Sequence, residues 1–184
     1  MPVIGVVGRN IKYTNRVVLE HPKSAMSEAF RALRTNLQYI KPGSEKKVVL
    51  ITSSISGEGK TFTSLNLASI LSLGDKRVVL MGVDLRSAFD FVVLDTPPVT
   101  LIADAFELMR YSDVNMYVVR QGVTLRSFVS LVEGMHQSKQ IKNGCVVLND
   151  YQANLAHQYG YVYYDDEPKD WDKPWIKRIF GGKR

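Results

Sequence analysis

The chain is 184 residues long, which suits one domain with a real core, and its 45% hydrophobic and 23% charged content is ordinary for a globular protein. No apolar run is long enough to span a bilayer, Met1-Pro2-Val3-Ile4-Gly5 lacks the features of a signal peptide, and a lone cysteine, Cys145, excludes an internal disulfide, so the chain is expected in the cytoplasm. Its net charge of +6 comes from 24 basic against 18 acidic side chains, a mild excess without a long basic block that speaks against a nucleic-acid partner.

In chain order, residues 1–23 read as a leader segment that packs on something else: a β-like start over 3–7, a basic stretch over 9–16, and Val17-Val18-Leu19. A main domain is expected over 24–157 and a tail over 158–184. The domain opens on an amphipathic helix over 27–40, in which Phe30, Leu33, Leu37 and Ile40 recur at helical spacing and Pro42-Gly43 closes the run. Glu28, Arg31 and Arg34 step along its polar flank at intervals of three, where they can pair with one another or with a neighbouring subunit.

The apolar run Val48-Val49-Leu50-Ile51 then breaks into Thr52-Ser53-Ser54-Ile55-Ser56-Gly57-Glu58-Gly59-Lys60-Thr61, a strand running into a phosphate loop. Backbone N–H groups of Gly57, Glu58, Gly59 and Lys60 can turn inward around a phosphate. Lys60 can reach the terminal phosphates, and the Thr61 hydroxyl can take a place on Mg²⁺. Phe62, Leu65, Ala68, Ile70 and Leu71 continue as a helix whose positive end points at the anion. Ser54 stands where the usual pattern has glycine.

A second buried-type strand over 76–86 carries Asp84 near its end, and a third over 89–95 ends at Asp95-Thr96-Pro97-Pro98. In an open parallel sheet ligands sit beyond the C-terminal strand ends, so both acids would face the phosphates and, with Thr61, supply hard oxygen ligands for Mg²⁺. A helix over 103–111, a strand over 115–119, a helix over 124–139 and a strand over 144–148 follow. This alternation predicts an α/β fold with a mostly parallel sheet and helices on both faces. The tail holds Tyr159, Tyr161, Tyr163 and Tyr164, exposed-type tyrosines that make good phosphoacceptors. Beyond them Trp171, Trp175, Ile176, Ile179 and Phe180 interleave with Lys173, Lys177, Arg178, Lys183 and Arg184, which suits a membrane surface bearing anionic lipid or a solvated tail.

Together these pieces resemble the cytoplasmic domain of the bacterial tyrosine kinases, the P-loop kinases that accompany exopolysaccharide and capsule chain-length regulators. Glu28-Ala29-Phe30-Arg31-Ala32-Leu33-Arg34 is similar to the family's E-x-x-R-x-x-R helix, which implies contacts in a homo-oligomeric ring. Residues 54–61 resemble its Walker A loop, 80–86 its Walker A′ strand, 92–98 its Walker B strand, and 159–164 its autophosphorylated tail. The resemblance implies an ATP- and Mg²⁺-dependent protein-tyrosine autokinase with Lys60, Asp84 and Asp95 as catalytic residues. Its nucleotide would sit on Ser56, Gly57, Glu58, Gly59, Lys60, Thr61 and Phe62, and its metal on Thr61, Asp84 and Asp95. It also implies a membrane polysaccharide co-polymerase as partner and a place at the inner face of the cell membrane.

Two departures from the family stand out. Gly82 occupies the first acidic position of the family's D-x-D, and Arg86 is followed almost at once by the next strand, where the family has several dozen residues. A chain this short returns to a parallel strand only as a taut strap; otherwise the two strands pair as a hairpin, which would place Asp84 and Asp95 at opposite ends. The shortened connection also suits a second reading, a catalytically weak nucleotide-binding oligomerisation module. A partitioning-type ATPase is disfavoured because Ile55 stands where that group carries a signature lysine.

Overall fold

The computed structural model describes residues 1–43, 46–80, 89–98 and 104–152, with the side chains of 104–107 left aside. Its centre is a six-stranded sheet: β1 (Val3–Gly8), β2 (Lys47–Ser53), β3 (Val78–Leu80), β4 (Phe91–Asp95), β5 (Val114–Arg120) and β6 (Gly144–Tyr151). The strands lie in the order β1-β6-β5-β2-β4-β3, and every pairing is parallel. Strands β2, β5 and β6 are buried along nearly their whole length, as continuous Val/Ile/Leu runs covered on both faces must be.

Among the described residues five helices accompany the strands: α1 (Val17–Glu20), α2 (Ala25–Ile40), α3 (Lys60–Ser72), α4 (Asp104–Tyr111) and α5 (Arg126–Gln137). The first three pack against one another. The chain crosses the sheet one way through α3 and back through α4 and α5, and the right-handed sense that parallel crossovers take puts the latter two on the opposite face. Helix α2 starts two residues before the expected boundary because the Ser24 hydroxyl caps it, accepting the Ser27 N–H at 3.2 Å. Phe30, Leu33 and Leu37 are fully buried in the main core, and the Phe30 ring meets Phe62 edge-on at 5.9 Å. That contact ties α2 to the first turn of α3.

Residues 1–23, read from the sequence as a leader, supply the edge strand β1 and the short helix α1 to this same compact unit, which spans 1–151. Val7, Val17 and Val18 are buried in the main core, and Val18 N–H donates to Asn66 Oδ1 of α3 at 3.0 Å. The tail from 153 onward, with its tyrosines and its basic Trp-containing segment, lies outside the described residues.

The hairpin alternative for the two acid-bearing strands is corrected. Val78 pairs with Phe91 and Leu80 with Val93 in parallel register, and Arg77 and Asp90 clasp the two strand starts, Arg77 N–H donating to Asp90 Oδ2 at 2.8 Å. β3 is described over Val78–Leu80, within the strand expected over 76–86. Residues 81–88, with Asp84 and Gly82, lie outside the described residues.

Candidate functional site

Strand β2 runs two residues past the register of Ile51 with Asp95 and delivers the chain to the loop at the C-terminal edge of the sheet. Two glycines shape that loop. Gly57 has φ +82° and Gly59, which caps α3, has φ +93°, the left-handed region that glycine enters without penalty. At Gly59 space is limiting as well, since an added Cβ would stand 2.0 Å from Asn149 Nδ2. The loop, the start of α3 and the 95–98 turn line a cavity of about 500 Å³, to which Ser56, Gly57, Gly59, Lys60, Thr61 and Phe62 contribute.

Lys60 reaches back across the loop, its ammonium donating to Ser53 Oγ at 2.9 Å and to the Ile55 carbonyl at 3.3 Å. Burial pushes its pKa below the ordinary lysine value, with the Asp95 and Glu58 carboxylates opposing that shift. Thr61 Oγ1 donates to Asp95 Oδ2 at 2.7 Å, and both side chains are exposed to the cavity. A hydroxyl and a carboxylate side by side at the mouth of a phosphate loop are the donor set a small hard cation such as Mg²⁺ accepts, so these residues fit the metal. Among the described residues no cluster of three His, Cys, Asp or Glu exists, and a third ligand would have to come from elsewhere. The turn after Asp95 is pinned to β2: Thr96 donates through both N–H (3.1 Å) and Oγ1 (3.0 Å) to the Ile51 carbonyl, and Thr52 Oγ1 to the Pro97 carbonyl at 3.1 Å.

Glu58 has a side-chain role of its own beside that of its backbone. Its backbone belongs to the loop, but its side chain is 0% exposed and turns beneath the loop, accepting from the Ile55 N–H at 3.0 Å and from the Thr124 hydroxyl. The neighbours below it went unread in the sequence. Arg120 donates to the Gly57 carbonyl at 2.8 Å, Asn149 to the Glu58 carbonyl at 3.0 Å, and Ser54 shares a hydrogen bond with Tyr117, whose buried phenol is pushed up to about 12. The strand-end rule that singled out Asp95 would also have pointed to Arg120, which closes β5, and Asn149, near the end of β6 in the same sheet.

On α2, Arg31 pairs with Glu28 and donates to the Pro22 carbonyl at 2.8 Å, whereas Arg34 donates to the Ile70 carbonyl in the last turn of α3 at 3.0 Å. The first pair faces solvent; Arg34 is engaged inside the chain. Asp84 and Tyr159, Tyr161, Tyr163 and Tyr164 lie outside the described residues.

Comparison with known proteins agrees with this geometry. A family model described as the CobQ/CobB/MinD/ParA nucleotide binding domain matches residues 49–179. Tyrosine-protein kinase YwqD of Bacillus subtilis is 23% identical, the match covering 80% of this chain and 90% of that protein. Tyrosine-protein kinase wzc of Salmonella typhi is 31% identical over 52% of this chain, which corresponds to only 13% of that longer protein. Among solved structures, the kinase domain of Escherichia coli tyrosine kinase ETK superposes with a TM-score of 0.71, covering 88% of this chain and 95% of the other at 19% identity, a likeness of fold.

Proposed function

Because the chain belongs to the CobQ/CobB/MinD/ParA nucleotide-binding domain family, we propose that it is an ATP-dependent protein-tyrosine kinase that phosphorylates tyrosines of its own tail and acts in exopolysaccharide or capsule export. The observation that carries this reading is the placement of Lys60, Thr61 and Asp95 around one phosphate loop, with Thr61 Oγ1 and Asp95 Oδ2 2.7 Å apart. The names of the relatives, tyrosine-protein kinases, support the choice of acceptor.

In this reading the loop amides and Lys60 hold the β- and γ-phosphates. Mg²⁺, held by Thr61 and Asp95 with Asp84 as a further ligand, would neutralise charge on their oxygens. The phenolic oxygen of Tyr159, Tyr161, Tyr163 or Tyr164 forms the new bond to the γ-phosphorus, the bond to the β-phosphate oxygen breaks, and ADP leaves. The phenolic proton passes to Asp84 or to water. Positioning and charge neutralisation supply most of the acceleration, since phosphoryl transfer asks little covalent chemistry of a protein. Glu28 and Arg31, paired on the exposed flank of α2, are the contacts of a homo-oligomeric ring in which the tail of one subunit reaches the nucleotide of the next. A membrane polysaccharide co-polymerase is the partner, met at the inner face of the cell membrane with the basic tail against anionic lipid.

One observation favours the second reading, a catalytically weak nucleotide-binding oligomerisation module: Gly82 stands where a second acid is expected. Incubation of the purified chain with Mg-ATP followed by phosphotyrosine detection separates the two. The kinase reading predicts a signal in the wild type that disappears in Lys60→Ala and in the variant with all four tail tyrosines changed to Phe. No signal from a wild type that still binds nucleotide rejects it in favour of the module.

A further inference from the structure

The underside of the phosphate loop is built as carefully as its mouth. Two successive carbonyls, those of Gly57 and Glu58, each accept a hydrogen bond from a side chain on a neighbouring strand end: Arg120 Nη1 at 2.8 Å and Asn149 Nδ2 at 3.0 Å. In a trans peptide the N–H points opposite to the C=O of the same plane. A donor that fixes the Gly57 carbonyl outward therefore turns the Glu58 N–H inward, and one that fixes the Glu58 carbonyl outward does the same for the Gly59 N–H. Both planes flank residues at positive φ, where the peptide has fewer steric reasons to keep one orientation.

The donors are themselves held. The Asp150 carboxylate takes Arg120 Nε and Nη2, each at 3.0 Å, and Asp150 sits at φ +56° to present it. Thr124 Oγ1 accepts the Arg120 N–H at 2.8 Å and donates to the buried Glu58 carboxylate, which also accepts the Ile55 N–H of the loop. Each oxygen of this buried carboxylate has a donor, Oε2 the Ile55 N–H and Oε1 the Thr124 hydroxyl, as a buried charge requires.

We infer that Arg120 and Asn149, held in place by Asp150 and by the Thr124–Glu58 bond, are positioning residues that aim the Glu58 and Gly59 amides at a bound triphosphate. They act from outside the cavity and touch no ligand. The inference rests on reading the loop as the triphosphate site, and it adds which residues set the loop's amide directions.

The test is an equilibrium titration of the full chain with Mg-ATP beside a ligand-free thermal melt. Arg120→Met, which keeps the apolar stem and loses the donors, and Asn149→Ala are each expected to weaken binding at least tenfold, with melting temperatures within about 3 °C of wild type. Arg120→Lys restores part of the loss, because one donor can still reach the Gly57 carbonyl. Asp150→Asn weakens binding in the wild-type background and adds nothing to Arg120→Met, since it acts through Arg120. Binding within twofold of wild type in both Arg120→Met and Asn149→Ala overturns the inference, as does a loss of affinity that comes only with a lowered melting temperature. If one variant fails to fold, the other, on a different strand, decides. A wild type that does not bind Mg-ATP overturns the triphosphate reading itself, and is told apart by the silence of the unmutated chain.

Discussion

At the scale of single residues, Lys60 decides most. Its ammonium is drawn into the loop, and burial lowers its pKa against the pull of Asp95 and Glu58. A triphosphate binds the protonated form, so affinity is full while Lys60 is charged and falls as pH rises through its lowered free-chain pKa. Mg-ATP titrations from pH 7 to the ordinary lysine value of 10.5 should show that fall. Lys60→Arg, charged throughout that range, should not show it. A flat wild-type profile would mean that Lys60 does not contact the phosphates. The same residue shows what could be read in the sequence: the offset of Gly59-Lys60-Thr61 from a β-branched run marks it, because backbone chemistry demands that spacing. The burial of the Glu58 side chain could not be read that way, since its partner Thr124 lies 66 residues on and is brought to it by tertiary folding.

At the scale of elements, α2 and α3 form the shelf that holds the start of the loop helix. Phe30 is fully buried and packs edge-on against Phe62, one residue after Thr61. Phe30→Ala should cost about 3–5 kcal/mol by the usual toll of emptying an aromatic core site. A denaturant titration measures it, and a loss under 1 kcal/mol would show that the contact does not anchor the shelf. Helix α2 was legible because its apolar period is clean and Ser24 is a good cap. Helix α1, four residues long with no side-chain cap, carries too short a period to be seen. Parallel pairing of β3 with β4 settles the direction that composition left open.

At the scale of the whole molecule, six parallel strands bring the C-terminal ends of β2, β4, β5 and β6 to one edge, and the site is assembled there from residues 53 to 150. Alternation of strand and helix made the fold class readable, whereas strand order, and with it the approach of Arg120 and Asn149 to the loop, is decided by crossovers that leave little trace in local sequence. No helix among the described residues is long and apolar enough to cross a membrane, so membrane proximity in the proposed function rests on the basic tail and the co-polymerase partner. Arg34, bonded to α3 within the chain, is better suited to holding the subunit together than to reaching another.

The most direct test of the whole account is a calorimetric titration of ATP into the wild-type chain with and without Mg²⁺, repeated for Lys60→Ala and Thr61→Val. The account predicts one site per chain, affinity at least tenfold higher with Mg²⁺, little of that gain in Thr61→Val, and no measurable binding in Lys60→Ala. Equal binding by wild type and Lys60→Ala, or none by wild type in the presence of Mg²⁺, would contradict it.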